Sequence, residues 1–299
     1  MARSLVILVT GATAGIGKAA ALHLQKKGHR VIGTGRNEKA LAELRAAGLD
    51  AVAMDVTSQA SIDSAREVVD RLTNGHGVDV LVNNAGYGLV GPLEMLSDAD
   101  VRAQFDTNVF GLLAVTRAFL PAMRARRSGR IVNVSSVGGR MTFPLGGAYH
   151  ATKYAVEAMS DALRMELAGF GIKVSVIEPG YIKSEFTATS MSYVQKYGAD
   201  PSSPYHEVLA KVASAGAGAE QRLAVGPQSV CRAIESASVS RFPRARYVAP
   251  FYNAMGPILM SLVPTFLTDW VFGRLTGLSK PRALPASTTA SSSTAMATA

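Results

Sequence analysis

Tyr149 and Lys153 stand four residues apart, and Ser136 lies thirteen residues before the tyrosine. On a helix, residues four apart share a face, so the phenol and the ammonium would point the same way. A phenol titrates near pH ~10 when nothing perturbs it. A neighbouring ammonium favours the phenolate and lowers that value toward the range where proton transfer is efficient. A serine hydroxyl just before such a helix can hydrogen-bond an oxygen on which charge develops. Together these are the parts of a proton-transfer site at a carbonyl or alcohol. The Tyr-x-x-x-Lys spacing alone arises often by chance; its weight comes from following the serine by one strand-to-helix step. His150 adjoins Tyr149, but neighbouring helical residues diverge by about 100°, so it is expected to face away from the phenol.

A second group suits a dinucleotide. Thr10-Gly11-Ala12-Thr13-Ala14-Gly15-Ile16-Gly17 is a glycine-rich turn between an apolar run and an amphipathic stretch. Glycines let the backbone pass close to a diphosphate, and the helix N-terminus offers it free N–H groups and a positive dipole end. Gly11, Thr13, Gly15, Ile16 and Gly17 are the expected contacts. The next strand ends in Gly35-Arg36-Asn37, without the carboxylate that would hold the ribose hydroxyls of NAD. Arg36 stands instead where a 2′-phosphate would lie, and a guanidinium suits a phosphate. NADP(H) is therefore expected over NAD(H). Asp55, followed by Val56, ends the third strand, where its carboxylate could accept from an adenine amino group. Asn84, Ala85 and Gly86 end the fourth, small enough to let the chain approach a cofactor.

These residues need a frame, and the pattern around them supplies one. Apolar runs at 5–10, 30–35, 51–55, 78–83, 130–135 and 172–178 alternate with helix-spaced stretches at 15–27, 38–47, 58–72, 97–127 and 149–168. Continuous apolar strands joined by amphipathic helices imply an α/β fold: a doubly wound, Rossmann-type parallel sheet in a single domain, residues 1–250. Ligands of such sheets bind beyond the carboxyl ends of the strands, where the residues above fall. Residues 184–225 are expected to form a helical substrate lid. A helix at 227–240 and a short strand near Tyr247 close the domain. Residues 251–279 form an apolar C-terminal extension, and 280–299, a Ser/Thr/Ala run, are expected to be disordered.

The motifs, taken together in this order, resemble the short-chain dehydrogenase/reductase family, by Thr10–Gly17, Asp55, Asn83–Gly86, Asn108 in Asp106-Thr107-Asn108-Val109, Ser136, Tyr149, Lys153 and Pro179-Gly180. The resemblance spans residues 5 to about 185. It implies that Tyr149 is the general acid/base and that Ser136 polarises the carbonyl. It further implies that Lys153 lowers the tyrosine pKa and binds the nicotinamide ribose, while Asn108 helps hold a water of the proton relay. Tyr149 and Lys153 then also count among the cofactor contacts. Pro179, Gly180 and Ile182 would pack by the nicotinamide. Ser184 replaces a frequent Thr and keeps the hydroxyl for the carboxamide. Members preferring NADP often carry a basic residue before the second glycine of the turn; here it is Ala14, so the NADP expectation rests on Arg36 and the absent carboxylate at position 35.

Composition bounds the rest. Of 299 residues, 48% are hydrophobic, which excludes global disorder. Cys231 is the sole cysteine, leaving no intramolecular disulfide and fitting a reducing, cytoplasmic location. No metal site is expected. The cations behind the net charge of +9 are scattered, densest at Arg124, Arg126, Arg127 and Arg130 and at Arg241, Arg244 and Arg246, and no nucleic-acid partner is expected. The uncharged stretch 248–268 carries three prolines, which disfavours a spanning helix but permits peripheral membrane contact. A homodimer or homotetramer through the helices at 98–127 and 149–169 follows from the resemblance.

The substrate end is apolar. Phe143 before Tyr149, and Phe186 after the sixth strand, are expected to contact substrate alongside Ser136 and Tyr149. Met141, Tyr181, Met191, Tyr193 and Tyr197 add to an apolar or amphipathic pocket, or else pack beneath the lid. The leading reading is an NADP(H)-dependent oxidoreductase interconverting a carbonyl and an alcohol on a steroid-, retinoid- or acyl-lipid-like substrate. A 3-oxoacyl-thioester reductase would need a basic docking face for an acidic carrier. A non-enzymatic NADPH sensor would have no need of Asn108, Ser136, Tyr149 and Lys153 together.

Overall fold

The computed structural model describes residues 4–279. The strands are β1 (Val6–Val9), β2 (Arg30–Gly35), β3 (Asp50–Ala53), β4 (Val80–Asn83), β5 (Gly129–Val134), β6 (Ile172–Pro179) and β7 (Arg246–Ala249). They form one sheet in the order β3-β2-β1-β4-β5-β6-β7, and every pairing is parallel. The order reverses between β1 and β4, which opens the crevice where such sheets take ligands.

Helices cover both faces. Helices α1 (Gly15–Lys26), α2 (Glu38–Ala46) and, late in the chain, α9 (Gln228–Val239) bury Leu24, Leu41, Leu44, Val230 and Ile234 against one side. Helices α3 (Gln59–Leu72), α5 (Leu112–Ala125) and α6 (Gly147–Leu167) bury Ile62, Val69, Phe119, Met123 and Leu167 against the other. Local signals set several starts: the side chains of Asn37 and Ser58 accept from the backbone N–H groups of Ala40 and Ser61 and cap α2 and α3.

The single helix expected over 97–127 is interrupted. It runs as α4 (Asp98–Phe105), a π-helical turn at Asp106–Gly111, and α5. Apolar periodicity does not show one inserted residue, and such turns are frequent at functional sites. The segment 184–225, expected as a lid, contains two helices, α7 (Glu185–Gly198) and α8 (His206–Leu223), packed with a small core of Leu89, Leu96, Ala148, Val194, Tyr197 and Leu209. Helices α10 (Met255–Leu262) and α11 (Thr265–Thr276) make up most of the extension. The Ser/Thr/Ala tail over 280–299 lies outside the described residues. Among the described residues no helix is long and apolar enough to cross a membrane.

Candidate active site

The glycine-rich turn leads from β1 into α1. Ala14 leaves that helix without a side-chain cap, and its first turn holds no acidic residue. The helix thus brings its first N–H groups and positive dipole end to the crevice with no acidic residue of its own against them, as an anion needs. Gly17 is fixed by contact: a Cβ there would stand 2.2 Å from the Gly11 carbonyl oxygen and 2.4 Å from Asn84 Nδ2. Asn84 Nδ2 donates to the carbonyls of Thr10 and Gly11, while Thr10 Oγ1 accepts from the N–H groups of Asn84 and Ala85. The turn and the end of β4 thus hold each other in register. Sequence reasoning had assigned Asn84 and Ala85 to the cofactor alone and had given the Thr10 hydroxyl no part. The lid also reaches this turn: Ser184 and the Glu185 carboxylate lie 3.3 and 3.4 Å from where a Gly15 Cβ would be.

Arg36 and Asp55 come together at the ends of β2 and β3. Arg36 Nη1 is 3.7 Å from Asp55 Oδ2, and its side chain is 75% exposed. Asp55 Oδ1 accepts from the backbone N–H and the hydroxyl of Thr57, so this carboxylate also caps a turn. Burial pushes the Asp55 carboxyl up, but the Thr57 hydrogen bonds and the Arg36 charge outweigh it and hold it below its ordinary range. Val56 is buried behind it.

Ser136, Tyr149, Lys153 and Asn108 converge beyond β4, β5 and β6. Ser136 caps the turn after β5, accepting from the Gly138 N–H at 3.0 Å. Tyr149 and Lys153 occupy one face of α6. Asn108, buried in the π-helical turn, donates to the Tyr87 carbonyl and to Thr152 Oγ1, and accepts from the Tyr87 N–H. A Cβ at Gly86 would stand 3.0 Å from Asn108 Oδ1 and 3.7 Å from Lys153 Nζ.

The electrostatics differ from the sequence expectation at one point. Lys153 Nζ donates to the Val134 carbonyl at 2.9 Å and lies 5.9 Å from the centre of the Tyr149 ring. Burial pushes the Tyr149 phenol up to about 12, with the Ser136 hydroxyl pulling it back. Burial pulls the Lys153 ammonium down to about 8, with the Glu157 charge opposing. Desolvation, which penalises the charged form of either group, is the largest cause of both shifts. The phenol is accordingly protonated at neutral pH.

Of the apolar candidates, Phe186 packs edge-on against Tyr149 with ring centres 5.4 Å apart. Phe143 is half exposed and packs edge-on against His150 at 4.2 Å. His150 is buried with Nδ1 2.8 Å from the Gly138 carbonyl oxygen, so it braces the turn after Ser136. Tyr197 belongs to the core under the lid, with its hydroxyl accepting from the Ser97 N–H and bonded to Asp100. Met191 and Tyr193 pack against that core, whereas Tyr181 remains exposed.

Pro179 ends β6 and Gly180 follows it, with Ile182 buried two residues on. The bare face of Gly180 is filled from within the chain: a Cβ there would stand 1.7 Å from Asn253 Nδ2. The start of the extension is thereby pressed onto the wall expected to face a nicotinamide. Nothing in the spacing of residues 251–279 signalled that contact.

Comparison with known proteins agrees with this geometry. The family described as short chain dehydrogenase matches residues 5–194. Retinol dehydrogenase 16 of Homo sapiens is 37% identical over 280 residues, covering 89% of this chain and 87% of that protein. A short-chain dehydrogenase/reductase of Burkholderia phymatum, solved with NAD, is 25% identical with a TM-score of 0.74, over 86% of this chain and 92% of that one. An actinorhodin polyketide ketoreductase variant solved with NADPH is 32% identical with a TM-score of 0.67, over 83% and 97%. A parallel sheet with an uncapped glycine turn at its switch point, and neighbours carrying either dinucleotide, place this chain in the short-chain dehydrogenase/reductase family, as an oxidoreductase that uses a nicotinamide cofactor.

Proposed function

We propose that the chain is an NADP(H)-dependent carbonyl reductase acting on an apolar or amphipathic substrate of retinoid, steroid or acyl-lipid type. The observation that carries this reading is the placing of the Tyr149 phenol, beside Ser136 and packed edge-on by Phe186, next to a turn built for a diphosphate. Bound in the crevice, the cofactor supplies a hydride. The Ser136 hydroxyl donates to the carbonyl oxygen, and Tyr149 gives up its proton to that oxygen as negative charge builds there. Lys153 offers its charge to the phenolate left behind. Asn108 holds the Tyr87 backbone and the Thr152 hydroxyl in place beside it.

Cofactor choice follows from Arg36. Its guanidinium is exposed at the end of β2 and only loosely paired, so it can turn to a 2′-phosphate at little cost. Gly35 beside it has no room for a ribose-binding carboxylate, because a Cβ there would lie 2.5 Å from Thr13 Cγ2.

Two features of the surface extend the reading. Helices α10 and α11 expose Leu262, Phe266, Trp270 and Leu275, an apolar face suited to peripheral contact with a lipid surface. Phe110 in the π-helical turn and Tyr154 and Met165 on α6 are exposed on the long helices, which suits assembly into a dimer or tetramer. Two of the arginines that a docking face for an acidic carrier could use are turned to backbone carbonyls: Arg126 donates to those of His76 and Val78, and Arg130 to those of Ala237 and Ser240.

The test is oxidation of NADPH and of NADH by the purified chain against a ketosteroid, retinal, acyl-dihydroxyacetone phosphate and a 3-oxoacyl thioester. Turnover of an apolar ketone or aldehyde with NADPH is expected. Turnover confined to the thioester would replace this reading with the alternative.

A further inference from the structure

Behind Tyr149 the interior joins Lys153 to an ion cluster whose other members the reaction above does not use. Lys153 and Glu157, one turn apart on α6, are 6% and 7% exposed, and Glu178 of β6, immediately before Pro179-Gly180, is fully buried. Arg246 of β7 reaches both carboxylates: its Nε lies 3.1 Å from Glu157 Oε2 and 3.3 Å from Glu178 Oε1. Its Nη2 bonds Asp161, one turn beyond Glu157. Arg140, four residues after Ser136, stands 3.6 Å from Glu178 Oε2. The backbone closes in from the same side, since a Cβ at Gly139 would be 3.0 Å from Glu157 Cγ and 2.7 Å from Ser135 Oγ.

Buried charges are retained only where partners offset their lost hydration. The groups facing Glu157 are Lys153 and Asp161 on its own helix, Ser135 and Arg140 from the segment after β5, Glu178 from β6 and Arg246 from β7. Arg246 serves all three carboxylates from one guanidinium and ties the sheet edge to α6; burial pushes the Glu157 carboxyl up, and the Ser135 hydrogen bond, Arg246 and Arg140 oppose that and favour its charged form. Lys153 has one hydrogen bond, to a carbonyl, and Glu157 is the carboxylate whose charge favours its ammonium.

We propose that Glu157 is a positioning residue for the reaction: clamped by Arg246, its carboxylate keeps the Lys153 ammonium charged beside Tyr149. The proposal rests on the role given to Lys153 and Tyr149 above. Without the carboxylate, burial alone governs Lys153, which then loses its proton at lower pH. The phenolate left after proton transfer loses its counter-charge over the same range. Carbonyl reduction, which needs both the phenol proton and the ammonium, fails earlier as pH rises.

The experiment is a pH titration of the full chain labelled at the lysine ε-carbons, with Lys153 assigned by the signal lost in Lys153→Arg. In Glu157→Gln the Lys153 midpoint is expected to fall by about 1 pH unit, the size of effect a close opposite charge has on a buried group. Glu157→Asp, which restores the charge, should return it toward the original value. Glu157→Met removes the charge without leaving an amide to satisfy, and must act like Glu157→Gln if the latter does not fold. An unmoved Lys153 midpoint in the charge-removing variant overturns the proposal. The readout needs no turnover, so a shifted midpoint in a chain that reduces no carbonyl would sink the catalytic reading and leave the clamp standing. Where carbonyl reduction is measurable, its alkaline limb should move down with the midpoint, an effect that mere loss of stability would not produce.

Discussion

The crevice side of the sheet and the C-terminal extension are built in opposite ways. Around Gly11–Gly17 and the end of β4, each group is held by several others, down to a glycine whose Cβ would strike two neighbours at once. Helix α10 buries Pro257 alone, and α11 buries none of its residues. Packing dictates the first region residue by residue. The second is dictated only in character, by an apolar composition that something outside the fold must cover or tolerate. Chemistry was therefore readable where position is over-determined, and substrate identity was not readable where it is left open.

The largest expected effect lies in the over-determined region. Tyr149→Phe removes one oxygen and leaves the ring packing on Phe186 in place. Turnover should fall by about 10²–10⁴-fold, the usual worth of a positioned proton donor. NADPH affinity, followed by cofactor fluorescence, should change little. Turnover within about tenfold of the unaltered chain would remove Tyr149 from the proton-transfer role.

Legibility followed chain distance and the kind of constraint. The Tyr149–Lys153 pair, the turn at Gly11–Gly17 and the strand ends were visible because each is a local spacing repeated at a strand-to-helix step. Asn108 was reached only by resemblance, since one Asn in a helical stretch has no pattern of its own. The π-helical turn that presents it could not be seen in apolar periodicity. The cluster of Glu157, Glu178 and Arg246 was missed because its members meet across up to 89 residues of chain. A signal was present nonetheless: Glu178 is a lone carboxylate in the otherwise apolar Val176-Ile177-Glu178-Pro179. Arg246 stands in the sequence beside Arg241 and Arg244, and only the structure shows that its guanidinium turns to Glu157, Asp161 and Glu178. Tyr197 could line a pocket or pack beneath the segment after β6; it does the latter, and its hydroxyl bonds Asp100 and Ser97, partners that composition does not name.

An intermediate effect tests the border of the two regions. Arg36 is well placed by β2, yet its side chain is exposed and held only by a loose pairing with Asp55. Arg36→Ala should weaken NADPH binding by about 10- to 100-fold, the loss of a charge-assisted contact worth roughly 1.5–3 kcal/mol, and NADH binding much less. Titration of both cofactors against both chains checks this. Equal losses would mean that Arg36 reads no phosphate, and the preference for NADP(H) would have to be withdrawn.

The smallest effect on the fold belongs to the extension. Phe266→Ser with Trp270→Ser alters two exposed residues and should change thermal unfolding by no more than about 0.5 kcal/mol each. Co-sedimentation with anionic vesicles should drop sharply while reduction of a small soluble ketone persists. A chain that never sediments with vesicles would turn the apolar face from a lipid contact into a contact between copies or a pocket wall.

The central claim is hydride exchange between a nicotinamide and a carbonyl carbon at the site of Ser136, Tyr149 and Lys153. The direct measurement supplies the chain with NADPH deuterated at the transferable position, together with an apolar ketone or aldehyde, and follows the label by mass spectrometry. The account predicts one deuterium on the new carbinol carbon for each NADPH consumed, and none with Tyr149→Phe. Tight NADPH binding with no label passed to any ketone, aldehyde or thioester offered would contradict it and favour a chain that senses the cofactor without using it.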